Sequence, residues 1–339
     1  MREHHLFPAP ETLINKDGRP LFGQINGIPK KLGLEHYERL NDMDKPVGSL
    51  SKHFAYKQFQ FVSVFVDHFV IGVAIADIRY LGSAFCYVYD LNEDRMVEEN
   101  WLRPLHFYKQ MSDSPYQGTS WIAGKRIQFH ILDASWQVSI NTSAIQARLS
   151  LTAPPDSKPL SMCTPTGYSG WTYTAKHNAL SATGELTING LPIKLDSALA
   201  GYDFSAGYMR RETSWRWASI STQSAGATLG LNLAAGVNET GSCENAMWIN
   251  GQRHLLGPVH FEFQRTSPHG DWRLFSETGE VDLVFTPKNK RSEKLNLWLL
   301  KSNFRQFIGH FSGTLTDNSG QVHTLDNVLG LTEDHFARW

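Results

Sequence analysis

Hydrophobic residues recur at alternate positions along much of this chain, in short runs of the kind that form β-strands. From Tyr56 onward, runs such as QFQFVSVFV, FVIGVAIAD and SAFCYVYD are rich in Phe, Val, Ile and Tyr and are separated by Asp, Gly and Asn. Such runs predict adjacent antiparallel strands. Almost no stretch has the 3.6-residue period of an amphipathic helix. The pattern therefore predicts an all-β protein.

Turn signals and composition divide the strands into two groups. Asn189–Gly190 and Asn250–Gly251 predict tight hairpins, because Asn and Gly tolerate positive φ angles. Residues 154–170 collect prolines, serines and glycines, which places a domain boundary near residues 165–178. We predict two lipocalin-like antiparallel β-barrel or sandwich modules packed side by side, at residues 51–170 and 171–339.

Residues 1–50 carry many Gly, Pro and charged residues without a sustained period. They predict an irregular N-terminal arm laid over the protein, with a short helix near Leu34–Leu40. The first residues lack the apolar core of a secretory signal, and no run approaches the ~20 apolar residues of a membrane span. We therefore expect a cytoplasmic protein with no integral membrane segment.

The composition narrows the classes of partner. The 339 residues carry a net charge of -1, so no basic field attracts nucleic acid. Three distant cysteines and 14 histidines show no metal-ligand spacing, so no metal is expected. The sequence has no glycine-rich phosphate loop and no GxSxG elbow, which sets aside dehydrogenases, kinases and α/β-hydrolases and predicts no cofactor.

The segment GYDFSAGYMRRETSWRWA, residues 201–218, is the first candidate site, because polar groups set among aromatics often line a ligand pocket. Asp203 is the candidate acid, since an apolar surrounding keeps a carboxyl protonated near neutral pH; the alternative is a turn aspartate. On a strand Arg210 and Arg211 would face opposite sides, so one is expected inside, paired with Asp203 or Glu244. The candidate ligand-binding residues are Tyr202, Tyr208, Arg210, Arg211, Trp215, Trp217, Glu244 and Asn245.

Several of these residues have a structural alternative. Trp215 and Trp217 share one face of a strand and either line a cavity or fill a barrel. Glu244 and Asn245 lie at a cavity mouth or are loop residues. In GLTEDHFARW, Glu333 and His335 form an acid/base pair, or the carboxylates and Arg338 clamp the terminal strand, and the clamp is favoured.

The order of short motifs in the second half resembles a known group of proteins. GELTINGLPIKL, GYDFSAG, SWRWAS, INGQRHLL and FIGHFSGTLTDNSG follow the order of the C-terminal half of lipocalin-like double-barrel proteins, which include bacterial carotenoid 1,2-hydratases. Over nearly the whole chain, with LINKDGRPLFG near its start, the sequence resembles the uncharacterised bacterial family called domain of unknown function 2804. The hydratase resemblance implies a proton donor at Asp203, with Tyr202 in place of a tryptophan and Phe204 and Ser205 in place of a polar pair.

These observations predict a protein that binds a hydrophobic small molecule such as a lipid, terpenoid or polyketide. As an enzyme, it would carry out metal-free, acid-catalysed hydration, isomerisation or cyclisation with Asp203 as donor. The alternatives are a non-catalytic lipid carrier and an interaction module whose barrels are filled by side chains. The sequence does not decide between enzyme and carrier, and it predicts no oligomeric state.

Overall fold

Two large, mainly antiparallel β-sheets make up the protein in a computed structural model. The structure describes residues 6–224, 226–238, 241–267, 269–297 and 300–339. Nearly all regular structure in these ranges is strand, which confirms the all-β prediction. One sheet curls into a nearly closed barrel and the other into a half-barrel, consistent with the predicted two-module, lipocalin-like fold.

The first sheet runs in the order β6-β5-β4-β3-β15-β13-β11-β10-β9-β8-β7, with β1, β2, β12 and β14 attached beside this path. Its strands are β1 (Leu6–Pro8), β2 (Gly23–Asn26), β3 (Lys57–Val66), β4 (Phe69–Asp77), β5 (Leu81–Asp90), β6 (Arg95–Pro104), β7 (Lys109–Gln110), β8 (Gly118–Ile122), β9 (Ile127–Leu132), β10 (Ser135–Asn141), β11 (Ile145–Thr152), β12 (Leu160–Thr166), β13 (Gly170–Ile188), β14 (Leu191–Pro192) and β15 (Leu199–Gly207).

The second sheet runs in the order β19-β18-β17-β16-β24-β23-β22-β21-β20. Its strands are β16 (Glu212–Ser224), β17 (Ala227–Ala235), β18 (Ala246–Ile249), β19 (Gln252–Leu255), β20 (His260–Glu262), β21 (Trp272–Phe275), β22 (Val281–Leu297), β23 (Leu300–Thr316) and β24 (Val322–Arg338). The final strand β24 therefore lies at the centre of this sheet, between β16 and β23.

The chain passes from one sheet to the other at residues 208–211. β13 and β15 pair with each other, and β15 also pairs with β3, so residues 170–207 complete the first sheet. The predicted boundary near residues 165–178 instead falls within the β12–β13 hairpin. Proline and glycine there mark a turn within one sheet, and local turn composition does not distinguish this from a change of sheet.

The N-terminal arm is irregular and contributes to the first module. Leu13, Ile14 and Ile25 are buried in its core, and β2 pairs with β12. The helix predicted near Leu34–Leu40 is wrong: those residues form turns and a bridge, and the helix α1 spans Ser49–Ala55. Within the described ranges, no helix has the length and apolar character needed to cross a membrane.

Both predicted hairpins are confirmed. Asn189 and Gly190 have φ angles of 50° and 80°, and Asn250 and Gly251 have 50° and 82°. Each pair joins two antiparallel strands directly, since Ile188 faces Leu191 and Ile249 faces Gln252. Positive φ at both positions is the geometry that Asn-Gly favours.

The two sheets pack against each other through their apolar faces. Phe61 and Phe85 of the first sheet meet Trp217 and Phe304 of the second in one buried cluster. The opposite faces of β3 and β4 point into the first module's own core. Strands buried on both faces have nearly continuous hydrophobic sequences, which accounts for the run QFQFVSVFV.

Candidate active site

A cavity of about 240 Å³ lies between the two sheets. Its wall is mostly apolar, with Phe61, Ala74 and Phe85 on one side and Trp217 and Phe304 on the other. Strand alternation produces this wall, because residues two apart on each strand face the partner sheet. Two groups of polar residues interrupt it. We call them the lysine cluster, Lys176, Asp203 and Glu244, and the histidine cluster, Ser302, Glu333 and His335.

The lysine cluster is a buried three-way ion pair. Lys176 Nζ lies 2.7 Å from Asp203 Oδ2 and 3.1 Å from Glu244 Oε2. Lys176 and Asp203 are cross-strand neighbours on β13 and β15, so the sheet register fixes their contact. Burial alone would lower the pKa of Lys176, but the two carboxylates raise it above its usual value. The ammonium therefore remains charged and bridges the two sheets.

The cluster contains one more carboxylate than cation. Asp203 Oδ1 accepts a hydrogen bond from Ser205 Oγ at 3.0 Å, and Glu244 Oε1 accepts one from Asn238 Nδ2 at 3.4 Å. With all three groups ionised the cluster carries a charge of -1, and one added proton makes it neutral. The two carboxylates therefore share one ammonium as their charge partner. The Asp203 side chain is 12% exposed and that of Glu244 only 2%, so Asp203 is the carboxyl group more open to the cavity.

Trp217 links the cavity wall to the lysine cluster. Its Nε1 donates to Asn232 Oδ1 at 2.7 Å, and Asn232 Nδ2 donates to the backbone oxygen of Glu244 at 2.6 Å. Its ring meets Phe61 edge-on, with ring centroids 5.7 Å apart. Trp217 therefore both lines the cavity and fills the space between the sheets.

The histidine cluster lies on the second sheet. Ser302 Oγ is 2.9 Å from His335 Nε2, and His335 Nδ1 is 3.7 Å from Glu333 Oε1. Trp215 Nε1 donates to Glu333 Oε1 at 2.8 Å, and Gln306 Nε2 donates to Glu333 Oε2 at 3.1 Å. The Trp215 ring also lies against the His335 ring, with centroids 4.2 Å apart. These contacts fix both the carboxylate and the imidazole.

The acidic residues of β24 make different contacts on the two faces of the strand. Asp334, on the face away from the cavity, contacts Arg265, Arg305 and Arg216 and clamps the strand. The clamp expected from the carboxylates and Arg338 stays a prediction. Glu333 and His335 point to the cavity instead. Because successive side chains of a strand point to opposite faces, Asp334 lies on the face opposite to Glu333 and His335.

The structure places four sequence candidates away from the cavity wall. Tyr202 stacks on Trp136 in the first module's core, with centroids 4.7 Å apart. Tyr208 packs in the same core, 4.9 Å from the ring of Tyr37. Asn245 is fully buried and bonds the backbone of Ala234 and Gly257. Arg211 is exposed.

The expected arginine pairing is corrected. Arg210 and Arg211 lie in the connection between the sheets and not on a strand, so strand alternation does not apply to them. Arg210 lines the cavity and donates to the backbone oxygen of Gly236 at 3.2 Å. The cation paired with Asp203 and Glu244 is Lys176, which sequence reasoning missed. Its signal was a single lysine in the segment WTYTAKHNAL, which contains no arginine and no carboxylate.

Three solved structures are similar to this chain. A protein whose structure is described as CghA has a TM-score of 0.53 and 10% identity, covering 82% of this chain and 87% of that one. Kievitone hydratase from Nectria haematococca has a TM-score of 0.49 and 12% identity, covering 83% and 88%. A protein assigned as AttH from Nitrosomonas europaea has a TM-score of 0.47 and 14% identity, covering 82% and 91%. At these identities the likeness concerns the fold alone.

Sequence comparison adds the family. No curated protein matches this chain. One family model, described as a domain of unknown function, matches residues 6–339, which is nearly the whole length and includes both sheets and the cavity between them. The chain therefore belongs to the family called domain of unknown function 2804.

Proposed function

We propose that this protein binds a hydrophobic small molecule in the cavity between its sheets and transfers a proton to it from Asp203. The observation that carries the proposal is a mostly apolar cavity with a carboxyl group held on its wall by a buried lysine. Ligand pockets typically combine apolar walls with a few fixed polar groups. The reaction class is metal-free hydration, isomerisation or cyclisation of an alkene or ring.

The chemistry follows from the charge of the lysine cluster. Asp203 is better placed than Glu244 to deliver a proton to a ligand, because its side chain is the more exposed of the two. After transfer, Lys176 stabilises the Asp203 carboxylate across 2.7 Å. The faces of Trp215 and Trp217, on the same wall, favour a developing carbocation through cation–π attraction. The site can thus donate a proton and stabilise both products of that transfer.

Binding is tested first, with the fluorescent apolar probe 1-aminoanthracene. Ala76 lines the cavity, so Ala76→Phe fills it and is expected to weaken probe binding at least tenfold. Thr183→Phe, on an exposed position of β13, is the matched control and should bind as the wild type does. Equal binding by wild type and Ala76→Phe would show that the cavity is not the binding site.

Proton transfer is tested separately. Wild type and Asp203→Asn are incubated in D2O with a panel of isoprenoid alkenes and polyketide-type aromatics, and mass spectrometry follows deuterium incorporation. We expect incorporation by the wild type and none by Asp203→Asn, with 1-aminoanthracene binding retained in both. Probe binding without incorporation by the wild type across the panel would favour the carrier alternative. Equal incorporation by folded Asp203→Asn would overturn the role of Asp203.

A further inference from the structure

The histidine cluster places a serine, a histidine and a carboxylate in the order of a serine hydrolase triad, with the serine hydrogen-bonded to the histidine and the carboxylate at ion-pair distance. His335 Nε2 contacts the hydroxyl of Ser302 at 2.9 Å, and the other ring nitrogen, Nδ1, faces the carboxylate of Glu333 at 3.7 Å. A serine nucleophile, a histidine base and an orienting carboxylate in this order are recognised by geometry and not by sequence motif or fold. All three side chains line the cavity.

The surroundings of Glu333 suit an orienting role. It is 7% exposed, and its oxygens accept neutral hydrogen bonds from Trp215 and Gln306. Among the described residues, His335 is the one ionisable group recorded in an ion pair with Glu333. A proton passed from Ser302 to His335 therefore leaves no net charge on the Glu333–His335 pair.

Trp339 supplies a hydrogen-bond donor without an assigned acceptor. Its Nε1 is buried and has no hydrogen-bond partner within the described part of the chain, although Trp339 lines the cavity. It lies two residues beyond Ala337, which also lines the cavity and sits in β24, the strand paired with the strand of Ser302. A buried donor without an acceptor is unusual in a folded protein.

We propose that Ser302, His335 and Glu333 form a second catalytic site in this cavity, which cleaves a hydrophobic carboxylic ester. Ser302 Oγ attacks the carbonyl carbon as its proton passes to His335 Nε2. The bond to the alcohol breaks as that proton moves to the leaving oxygen, giving an acyl-serine. Water then attacks through the same histidine, releasing the acid and restoring Ser302. The proposal uses the same cavity as the proton transfer above but does not require Asp203.

The test uses a fluorescent fluorophosphonate with a short alkyl chain, which bonds covalently to activated serines and releases fluoride, and p-nitrophenyl butyrate as an ester. We expect the wild type to be labelled at Ser302, as located by peptide mass spectrometry, and to hydrolyse the ester. Ser302→Ala should abolish both signals, and His335→Gln should lower the labelling rate at least a hundredfold. Glu333→Gln should lower it at least tenfold. Ser292→Ala, at an exposed position of neighbouring β22, is the matched control.

Folding and the other proposed activity are separated by two readouts. Each variant is checked by circular dichroism and 1-aminoanthracene binding, so loss of labelling in a folded, probe-binding variant reports the site itself. Labelling of Ser302 and deuterium incorporation are measured on the same wild-type preparation, so failure at Ser302 is distinguished from failure at Asp203. Absence of label on Ser302 in folded wild type would overturn the proposal, as would unchanged ester hydrolysis by Ser302→Ala.

Discussion

Replacing Lys176 by methionine removes the one cation of a cluster that contains two carboxylates. The side chains of Lys176 and Glu244 are 6% and 2% exposed, so water cannot replace the lost ammonium. Deleting one partner of a buried ion pair costs roughly 3–5 kcal/mol, because the remaining charge stays buried without compensation. Domains are stable by only about 5–15 kcal/mol, so this loss is a large fraction of the total.

Urea unfolding followed by tryptophan fluorescence measures the loss at pH 7.5. We expect the unfolding free energy of Lys176→Met to fall by about 3–5 kcal/mol. Lys30→Met is the matched control, because Lys30 pairs with Glu11 at a similar distance, 3.0 Å, on the exposed surface, and it should show little change. The double variant Lys176→Met/Glu244→Gln should recover part of the loss, since it removes one of the uncompensated charges.

The pH dependence gives an independent check of the same reasoning. In the wild type the pKa of Lys176 is raised by its carboxylate partners. Its contribution is therefore fully present below the unfolded value of about 10.5 and is lost only as pH rises through the higher folded value. A Lys176→Met variant as stable as Lys30→Met at pH 7.5 would refute the role of this cluster.

Three further predictions concern the wall and the turns. Trp217→Phe should lower the unfolding free energy by roughly 1–3 kcal/mol, because it leaves the buried acceptor of its indole N–H unpaired, and a loss below 0.5 kcal/mol would contradict this. Burial lowers the pKa of Lys57 to about 8 in the folded protein. Between pH 8 and 10 the unfolded state therefore binds more protons than the folded state, so this residue makes the free energy of unfolding rise with pH. Lys57→Met should remove this rise, as measured by urea unfolding at several pH values. An unchanged pH dependence of the unfolding free energy would contradict the prediction. Gly251→Ala should lower the melting temperature more than Gly190→Ala. Both glycines have positive φ, but an alanine Cβ at 251 would lie 2.8 Å from the Pro154 Cβ, whereas one at 190 would meet nothing within 4 Å. Equal decreases in melting temperature would contradict this reasoning.

Local patterns predicted the strands well but not the division between sheets. Alternation and turn dipeptides are encoded within a few residues, so the hairpins at Asn189 and Asn250 could be identified directly. The pairing of β15 with β3 joins residues more than 130 positions apart and leaves no local signal. A boundary placed on proline and glycine content therefore missed the assignment of β13 to the first sheet.

The candidate site was predicted only in part, because its contacts also depend on strand pairing that leaves no local signal. Asp203, Trp215, Trp217 and Glu244 were selected from local composition, and all four line the cavity. Lys176 lies 27 positions before Asp203 and reaches it only through the register of β13 and β15. Local sequence therefore points to the nearby arginines as the charge partners of Asp203. Tyr202 failed to reach the cavity because it neighbours Asp203 in the strand and so points to the opposite face.

The position of β24 has a consequence for protein synthesis. This strand comes last in the sequence but provides the central ladder of its sheet, pairing with β16 and β23 on either side. While the ribosome still holds residues 322–338, β16 and β23 are both unpaired along these edges. Trp217 and Phe304, on these two strands, then lack the contact of Leu331 in β24, which packs in the same buried cluster. The nascent chain thus passes through a stage with two open sheet edges, a state prone to aggregation and suited to chaperone binding, and the cavity wall is incomplete until residues 322–338 have docked.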